Sequence, residues 1–186
     1  MAVLPAPGFL RGELLPATLE VAVETQADAV QLGAAGAPVV LLGHSTGGLL
    51  AYAVASHLER IGVRPAAVVL IDTYPMSTLY KILPGALDGM FEREEAGVSI
   101  NDIRLTAMGA YGRLLAEWEP TQIATPTLLL KATKPIAYKT RAPEGPSWPF
   151  PHCAVDVPGD HFTIMEAHAS ATARAVEDWL LSTLGL

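Results

Sequence analysis

A serine flanked by small residues stands where a buried strand should turn into a helix. Apolar residues run from Pro38 to Leu42, the pentapeptide GHSTG follows at residues 43–47, and apolar residues then recur at helical spacing. This arrangement fits G-x-S-x-G, in which a strained turn from strand to helix exposes the serine hydroxyl. The amides at the start of the helix would face negative charge that develops when a carbonyl group is attacked. We therefore predict that Ser45 is a nucleophile.

A nucleophilic serine needs a general base, and the five histidines are the candidates. His161 lies in a tight loop between the last predicted strand and the last predicted helix, and a loop at that end of a strand can reach the serine. His44 precedes the nucleophile and is expected to have a structural role. His152 lies at the wrong end of its strand, and the other two lie on predicted helices. His161 is therefore the predicted base.

The base in turn needs an acid that orients it. Asp72 ends a buried strand, and a carboxylate at the end of an apolar run is costly to bury without a partner. The next predicted strand has no acidic residue near its end. Asp160 is the competitor, but it adjoins His161, and adjacent residues rarely aim their side chains at each other. We therefore predict that Asp72 orients His161, in the chain order serine, acid, histidine.

Strands alternate with helices along most of the chain. Strands are predicted at 38–42, 66–71, 127–131 and 154–157, and helices at 18–32, 48–61 and 163–184. This alternation predicts an α/β fold with a mostly parallel sheet and helices on both faces. The first strand is expected to be covered on both faces. The inward residues expected on the last helix are Met165, Ala169, Ala173, Val176 and Leu180.

Two stretches interrupt the alternation in what we interpret as one domain, residues 1–186. Residues 77–118 are predicted to form an inserted set of short helices. Residues 131–152 contain five prolines, and so long a loop inside a domain is usually functional or disordered. Residues 2–16 are rich in Pro and Gly and are predicted to be a loop.

Composition excludes several classes of function. The net charge is −7, so the chain has no electrostatic reason to bind nucleic acid. No apolar run approaches the roughly 18 residues of a membrane span, and no secretory signal is evident. Cys153 is the only cysteine, which excludes an internal disulfide and a thiolate zinc site, and we expect it in the core. A cytoplasmic protein is expected.

Five segments of the chain resemble one enzyme family. GHSTGGLLAYAVA, VVLIDTYP, RLTAMGAYGRLL, WPFPH and VPGDHFTIMEAHA occur in this order and resemble the thioesterase domains that end modular type I polyketide synthases. The resemblance implies an α/β-hydrolase fold and a catalytic triad of Ser45, Asp72 and His161. It also implies that residues 77–118 form a lid over a substrate channel, and that Tyr74 lines the site.

The resemblance further implies the substrate and the partner. Such domains take a polyketide acyl chain from the phosphopantetheine arm of an upstream acyl carrier protein and release it as a macrolactone or an acid. Neither a metal nor a redox cofactor is expected. The resemblance does not decide which of the two products is released. A homodimer is also left open, because the N-terminal helices that form the family's dimer contacts are not found in this sequence.

The oxyanion hole raises a question about the amino-terminal region. One donor is expected to be the backbone amide of Thr46, the residue after the nucleophile, and this fold takes the second from a loop after an earlier strand. Only one strand is predicted before Ser45. We therefore expect that N-terminal strands are missing, that Val3 and Leu4 are the tail of one, and that a longer chain would turn over faster.

Other functions remain open from the sequence. A free-standing esterase and a type II editing thioesterase would use the same three residues. A catalytically impaired α/β-hydrolase fragment, acting as a structural or docking piece, would keep the fold without the full oxyanion hole.

Overall fold

Four parallel strands form a sheet in the computed structural model, which describes residues 2–95, 101–134, 136 and 146–185. The strands are β1 (Val40–His44), β2 (Ala67–Ile71), β3 (Thr127–Ala132) and β4 (Cys153–Val157), and they lie side by side in chain order. The four predicted strands are confirmed, with slightly different bounds. Because every pairing is parallel, the carboxyl ends of the strands meet at one edge of the sheet.

Helices cover both faces of this sheet, as predicted. They are α1 (Leu19–Ala34), α2 (Thr46–Arg60), α3 (Met76–Glu95), α4 (Asp102–Leu114) and α5 (Ala169–Leu184). The hydroxyl of Thr18 accepts a hydrogen bond from the Val21 amide and so caps α1. Apolar residues of α1 and α2 pack on one face of the sheet, and those of α5 pack on the other.

The core lies on both sides of β2 and β3, the two central strands. Successive side chains of a strand point to opposite faces, and here both faces are apolar. Val68, Leu70 and Leu129 point toward α2, whereas Val69, Ile71 and Leu130 pack on the side of α5. These six side chains are at most 1% exposed. A pair of largely buried strands therefore carries the edge at which the predicted site residues lie.

The first strand is fully covered on one face and only partly on the other, where Val40 packs against the core but its neighbour on that face does not, contrary to the prediction. Leu41 is buried toward α1 and α2, but Leu42, which points the opposite way, is 44% exposed. The reason is the position of β1 at the edge of the described sheet, whereas the side chains of α5 pack against the strands farther along.

The inward side of the last helix agrees with the prediction only in part, since Val176 packs on the core and Leu180 is half-buried as expected, whereas three other residues are not. A 3₁₀ turn (Thr163–Met165) precedes α5, and Met165, Ala169 and Ala173, which were expected to point inward, are exposed. The packed residues of this helix are Ala171, Thr172, Ala175, Val176 and Trp179. Because the helix starts afresh after the turn, its inward face cannot be extrapolated from the apolar residues before Ala169.

Near the ends of the sheet, the expectation for Cys153 is wrong, and Val3 and Leu4 are not part of a strand in this chain. Val3 and Leu4 lie in irregular backbone, and both are exposed rather than part of a strand. The nearby carbonyl of Pro5 accepts a hydrogen bond from the Gln26 side chain instead of a strand neighbour. Cys153 is exposed and not in the core, because it begins β4, the edge strand opposite to β1.

The inserted segment consists of longer helices than predicted. α3 spans 20 residues and α4 spans 13, and the side chain of Asn101 caps α4 by accepting from the Arg104 amide. Of the proline-rich loop, residue 135 and residues 137–145 lie outside the described residues. The described part brings Trp148 against Tyr52 of α2, with 4.7 Å between ring centroids. Among the described residues, no helix combines the length and the apolar character that crossing a lipid bilayer requires.

Candidate active site

Ser45 occupies a sharp turn between β1 and α2. The strand ends at His44, the helix begins at Thr46, and Ser45 between them has φ 56° and ψ −127°. Positive φ is costly for a residue with a side chain and persists only where neighbouring structure enforces it. Part of this enforcement is visible, because the Ser45 amide donates to the carbonyl of Ile71 at 2.9 Å. The turn is the strand-to-helix geometry that the G-x-S-x-G pattern predicts.

The glycines around Ser45 have different reasons to be small. A Cβ at Gly43 would overlap the Gly47 carbonyl, and a Cβ at Gly48 would overlap the hydroxyl of Thr73. A Cβ at Gly47 would meet no atom within 4 Å. Close approach therefore requires glycine at position 43 and also at position 48, which lies outside the pentapeptide.

Asp72 follows β2 at the same edge of the sheet. Its backbone has φ 42°, and its side chain is 1% exposed. The backbone amide of Asp72 donates to the carbonyl oxygen of Leu130 at 2.8 Å. Oδ1 of the Asp72 side chain accepts from the Ala132 amide at 3.0 Å. The carboxylate is thus held by the end of β3, and its second oxygen, Oδ2, is left for another partner.

That partner is His161, whose Nδ1 lies 2.7 Å from Asp72 Oδ2. Both side chains are buried, and a short contact of this kind between an imidazole N–H and a carboxylate places the ring proton on Nδ1. Nε2 is then the nitrogen that can take and give a proton. The structure therefore brings together two of the three residues that the sequence selects, although 89 positions separate them in the chain.

Asp160 has a different task from Asp72. Its Oδ1 accepts from the amides of Phe162 at 3.0 Å and Thr163 at 2.9 Å. Burial disfavours the charged carboxylate, but these hydrogen bonds, together with Arg93 nearby, outweigh it and keep the pKa of Asp160 below its ordinary value. Asp160 thus shapes the loop that carries His161, and its described contacts do not include the imidazole.

His44 supports the backbone of the same loop. Its Nε2 lies 2.7 Å from the carbonyl oxygen of His161, so Nε2 carries the proton and donates it. The two imidazole rings lie 4.6 Å apart. Burial, reinforced by the adjacent His161, lowers the pKa of His44 to about 4. His44 is therefore neutral at neutral pH. Through its hydrogen bond, the residue directly before Ser45 supports the loop that carries the predicted base.

Ser45 is connected to the Asp72–His161 pair through its neighbours. Its own amide is bonded to Ile71, the residue before Asp72, and the residue before it, His44, is bonded to His161. Sequence reasoning gave His44 a structural role but did not identify its partner. The partner is 117 positions away, and no local pattern indicates a contact of that kind.

The two remaining predicted site residues also lie at this edge. Thr46 is the first residue of α2, where a helix amide has no partner inside the helix. Tyr74 is 4% exposed, and its ring centroid lies 6.3 Å from that of His161. The aromatic ring therefore forms part of the surroundings of the imidazole, in a small cluster with Ile82 and Ile136.

The histidines that the sequence analysis set aside lie elsewhere. Nδ1 of His57 is 2.9 Å from the Arg60 guanidinium, three residues along α2. His152 is exposed, precedes β4, and its Nδ1 is 2.7 Å from the Phe150 carbonyl. His168 immediately precedes α5.

Comparison with known proteins adds a family and several relatives. The family model described as Thioesterase domain matches residues 1–180. The chain is 46% identical to the polyketide synthase GfsE of Streptomyces halstedii, over 96% of this chain and 5% of that protein. It is 42% identical to the erythronolide synthase EryA3 of Saccharopolyspora erythraea, over 95% of this chain and 6% of that protein. The chain therefore spans about one twentieth of the length of these synthases.

Solved structures show the same fold. The NocB thioesterase domain, solved as a covalent complex with a fluorophosphonate analogue of nocardicin G, superposes with a TM-score of 0.70 at 23% identity, over 96% of this chain and 79% of that one. The RedJ thioesterase of Streptomyces coelicolor superposes with a TM-score of 0.67 at 26% identity, over 94% of this chain and 72% of that one.

Proposed function

The chain belongs to the thioesterase domain family and has the α/β-hydrolase fold of that family, and from this premise we propose that it releases an acyl chain by attack of Ser45 on a thioester. The family consists of hydrolytic enzymes, and its members among the relatives are parts of polyketide synthases. The proposal assigns the three roles of a triad to Ser45, Asp72 and His161.

One observation supports this assignment more than any other. The buried Asp72–His161 hydrogen bond lies at the sheet edge where Ser45 stands in a strained turn. A buried polar pair of this kind is weak evidence for stability, since desolvation offsets the attraction between its members. A carboxylate that orients an imidazole beside a serine in a strained elbow is, in contrast, the arrangement that nucleophilic acyl transfer needs.

The acylation step follows from these roles. Nε2 of His161 takes the proton of the Ser45 hydroxyl while Oγ attacks the thioester carbonyl carbon. The tetrahedral intermediate collapses, the carbon–sulfur bond breaks, and the imidazolium gives its proton to the departing thiolate. Asp72 keeps the imidazole in the Nδ1–H tautomer and stabilises its cationic form. The products are a thiol and an acyl ester on Ser45.

The second step removes the acyl group. His161 takes a proton from a hydroxyl, which attacks the ester carbonyl, and returns the proton to Ser45 Oγ as the ester bond breaks. Water as the attacking group gives an acid, whereas a hydroxyl of the acyl chain itself gives a macrolactone. The Thr46 amide, at the positive end of α2, is the proposed donor to the oxyanion in both steps.

The similarity to polyketide synthases suggests the substrate and its carrier. The substrate in this proposal is a polyketide acyl chain on the phosphopantetheine arm of an acyl carrier protein. Helices α3 and α4 lie between β2 and β3 in the chain, on the carboxyl side of β2, where they can form a lid over the acyl chain. Tyr74 is proposed to line the site beside the imidazole.

A serine-directed probe tests the assignment of the nucleophile. A small alkyl fluorophosphonate should add one label to the chain, and peptide mapping should place it on Ser45, because only a serine activated by an oriented imidazole reacts rapidly with such a reagent. Ser45→Ala should not be labelled. The neighbouring Thr46→Val variant is the matched control, since it removes a hydroxyl from the same turn and keeps the proposed amide donor.

Substrate comparison tests the reaction. Carrier-bound acyl chains and N-acetylcysteamine thioesters should be turned over faster than oxygen esters of equal length, and mass spectrometry of a hydroxyacyl substrate separates a lactone from an acid. Label on another residue would contradict the triad. Labelled Ser45 with a preference for oxygen esters would instead favour a free-standing esterase.

A further inference from the structure

Arg93, near the carboxyl end of α3, makes contacts with the loop of His161. Its Nε donates to Glu166 Oε1 at 3.0 Å, and Nη2 donates to Oε2 of the same carboxylate at 3.4 Å. Nη2 also lies 4.0 Å from Asp160 Oδ1. The guanidinium thus contacts one residue before His161 and one residue after it in the chain. Glu166, its main partner, is 73 positions from Arg93 in the sequence.

The same guanidinium lies over the ring of Phe162, which stands between the two acidic residues in the chain. Arg93 Cζ is 3.9 Å from the centroid of the Phe162 ring, well within the distance of a cation–π contact. Nη1 of Arg93 donates to the Gly89 carbonyl at 3.0 Å, which fixes the guanidinium to its own helix. Phe162 also packs on Gly89, where an added Cβ would come within 2.5 Å of the ring.

Phe162 in turn contacts the imidazole of His161. The ring of Phe162 meets the ring of His161 edge-on, with 5.3 Å between centroids and an angle of 83°. His161 is already bonded through Nδ1 to Asp72 and through its carbonyl to His44. These hydrogen bonds alone leave the imidazole ring some freedom to tilt. The packed ring of Phe162 limits that tilt.

Surface attraction between Arg93 and Glu166 would by itself contribute little. The side chain of Glu166 is 51% exposed, and an exposed ion pair is screened by solvent. The geometry is nevertheless specific, because the same guanidinium both binds the Glu166 carboxylate and lies over the Phe162 ring, and it must satisfy both contacts in one placement. The contacts of Arg93 therefore fix the positions of the groups they join more than they stabilise the fold.

We propose that Arg93 is a positioning residue for the catalytic base: it clamps α3 to the loop of residues 160–166, and through Phe162 it holds the His161 ring in place. This inference rests on the proposed function, since it assumes that His161 acts as the base. It makes the inserted helix part of the catalytic support as well as part of a lid. A small misplacement of a catalytic group is enough to slow a reaction strongly.

The test compares variants of the clamp with an arginine outside it. Arg93→Met removes the charge and the planar group, Arg93→Lys keeps the charge alone, and Glu166→Gln removes the carboxylate charge. Arg174→Met, on an exposed position of α5, is the matched control. Two quantities are measured: the rate constant for phosphonylation of Ser45 by a short alkyl reagent, and kcat and KM for an acetyl thioester.

A positioning role predicts slower chemistry with unchanged binding. Arg93→Met should lower the phosphonylation rate constant and kcat by roughly tenfold, with KM within about twofold of the original, because a misplaced base slows proton transfer to any reagent. Arg93→Lys and Glu166→Gln should give smaller losses in the same two quantities, and Arg174→Met should give none. Thermal melts accompany each variant, and Arg93→Lys decides the question if Arg93→Met does not fold.

Three outcomes would overturn the inference. Unchanged phosphonylation in a folded Arg93→Met or Arg93→Lys variant would show that the clamp does not support the base. A change confined to KM would make Arg93 a residue of the acyl channel only. Failure of the unsubstituted chain to be labelled at Ser45 would overturn the proposed function itself, and this result is distinguishable because it does not depend on Arg93.

Discussion

At the scale of single residues, the candidate site depends on backbone as much as on side chains. Ser45 and Asp72 each follow a strand, and both have positive φ. Such a conformation is rare for residues other than glycine, and it turns each side chain out of the sheet at the edge where His161 arrives. The bond from the Ser45 amide to the Ile71 carbonyl joins the two turns, so neither residue can shift alone.

The first prediction distinguishes the two aspartates beside the base. Asp72→Asn can place an amide NH₂ group opposite His161 Nδ1, which forces the ring proton onto Nε2. The change should therefore lower the rate of acyl-enzyme formation by roughly a thousandfold or more. Asp160→Asn keeps the oxygen that accepts from the Phe162 and Thr163 amides. It should lower the rate by roughly tenfold at most, since only the loop is affected.

Rapid-quench measurement of thiol release checks both values. Equal losses in the two variants would contradict the assignment of Asp72 as the orienting acid. Urea titrations of the same proteins show whether a loss reflects unfolding and not chemistry.

At the scale of secondary-structure elements, the site requires α2 to start very close to the end of β2. The first turn of α2 passes so near Thr73 that only glycine fits at position 48. Thr73 is completely buried, and its hydroxyl donates to the Ile71 carbonyl, so it cannot move aside easily. The opposite end of α2 is anchored as well, because Glu59 accepts hydrogen bonds from the amides of Ala124 and Thr125, just before β3.

The second prediction uses two adjacent glycines of this helix. Gly48→Ala should lower the free energy of unfolding by about 1–3 kcal/mol, because the added methyl group overlaps a buried side chain. Gly47→Ala should leave it unchanged or raise it by up to about 1 kcal/mol, since the methyl group meets open space and Ala favours helix. Urea denaturation measures both.

The same pair should differ in activity. Gly48→Ala is expected to slow the labelling of Ser45, because the helix start and the turn of Ser45 move together. Adding Thr73→Ala to it should restore part of the stability, since the overlapping hydroxyl is removed. If Gly47→Ala proved the more damaging change, the account of the close contact would be wrong.

At the scale of the whole molecule, three ionisable groups make stability depend on pH in one direction. The pKa of His44 lies at about 4, below its ordinary 6.5, because of burial and the neighbouring His161. The pKa of Glu59 is also lowered: burial opposes the charge, but hydrogen bonds from Thr125 and Ala124 outweigh it. Hydrogen bonds lower the pKa of Asp160 in the same way against burial.

The third prediction follows from the signs of these shifts. Below pH 6.5 the unfolded chain protonates His44 while the folded chain does not until about pH 4, so stability falls across that window. The two carboxylates contribute stability above their unfolded pKa values and lose it as the pH falls through their folded ones. The free energy of unfolding in urea should therefore decrease continuously from pH 7 toward pH 4.

Single variants separate the contributions. His44→Gln retains a donor for the His161 carbonyl but cannot titrate, and it should flatten the curve between pH 6.5 and pH 4. Glu59→Gln should flatten it below the ordinary carboxyl value of 4.5 and leave the upper part unchanged. Curves of unchanged slope in both variants would contradict these assignments.

The sequence by itself determined the order of the elements and the identity of the candidate site residues. Apolar periodicity and the small polar residues at strand ends are local properties, so the alternation of strands and helices, the turn at Ser45 and the parallel sheet could all be predicted from neighbouring residues. The pairing of Asp72 with His161 was predicted from the position of Asp72 at the end of a buried strand and from the order of the residues in the chain. The 2.7 Å contact agrees with it, while their catalytic role stays a prediction.

Only the tertiary structure decided which distant groups touch. The bond from His44 to the His161 carbonyl, the overlap that restricts Gly48 and the clamp from Arg93 to Glu166 each depend on how helices and loops pack across the sheet. Part of the inward face of the last helix and the exposure of Leu42 were mispredicted for the same reason. A local pattern shows that a residue is apolar or polar, but its neighbours in space are set by the register of the sheet and the packing of every element at once.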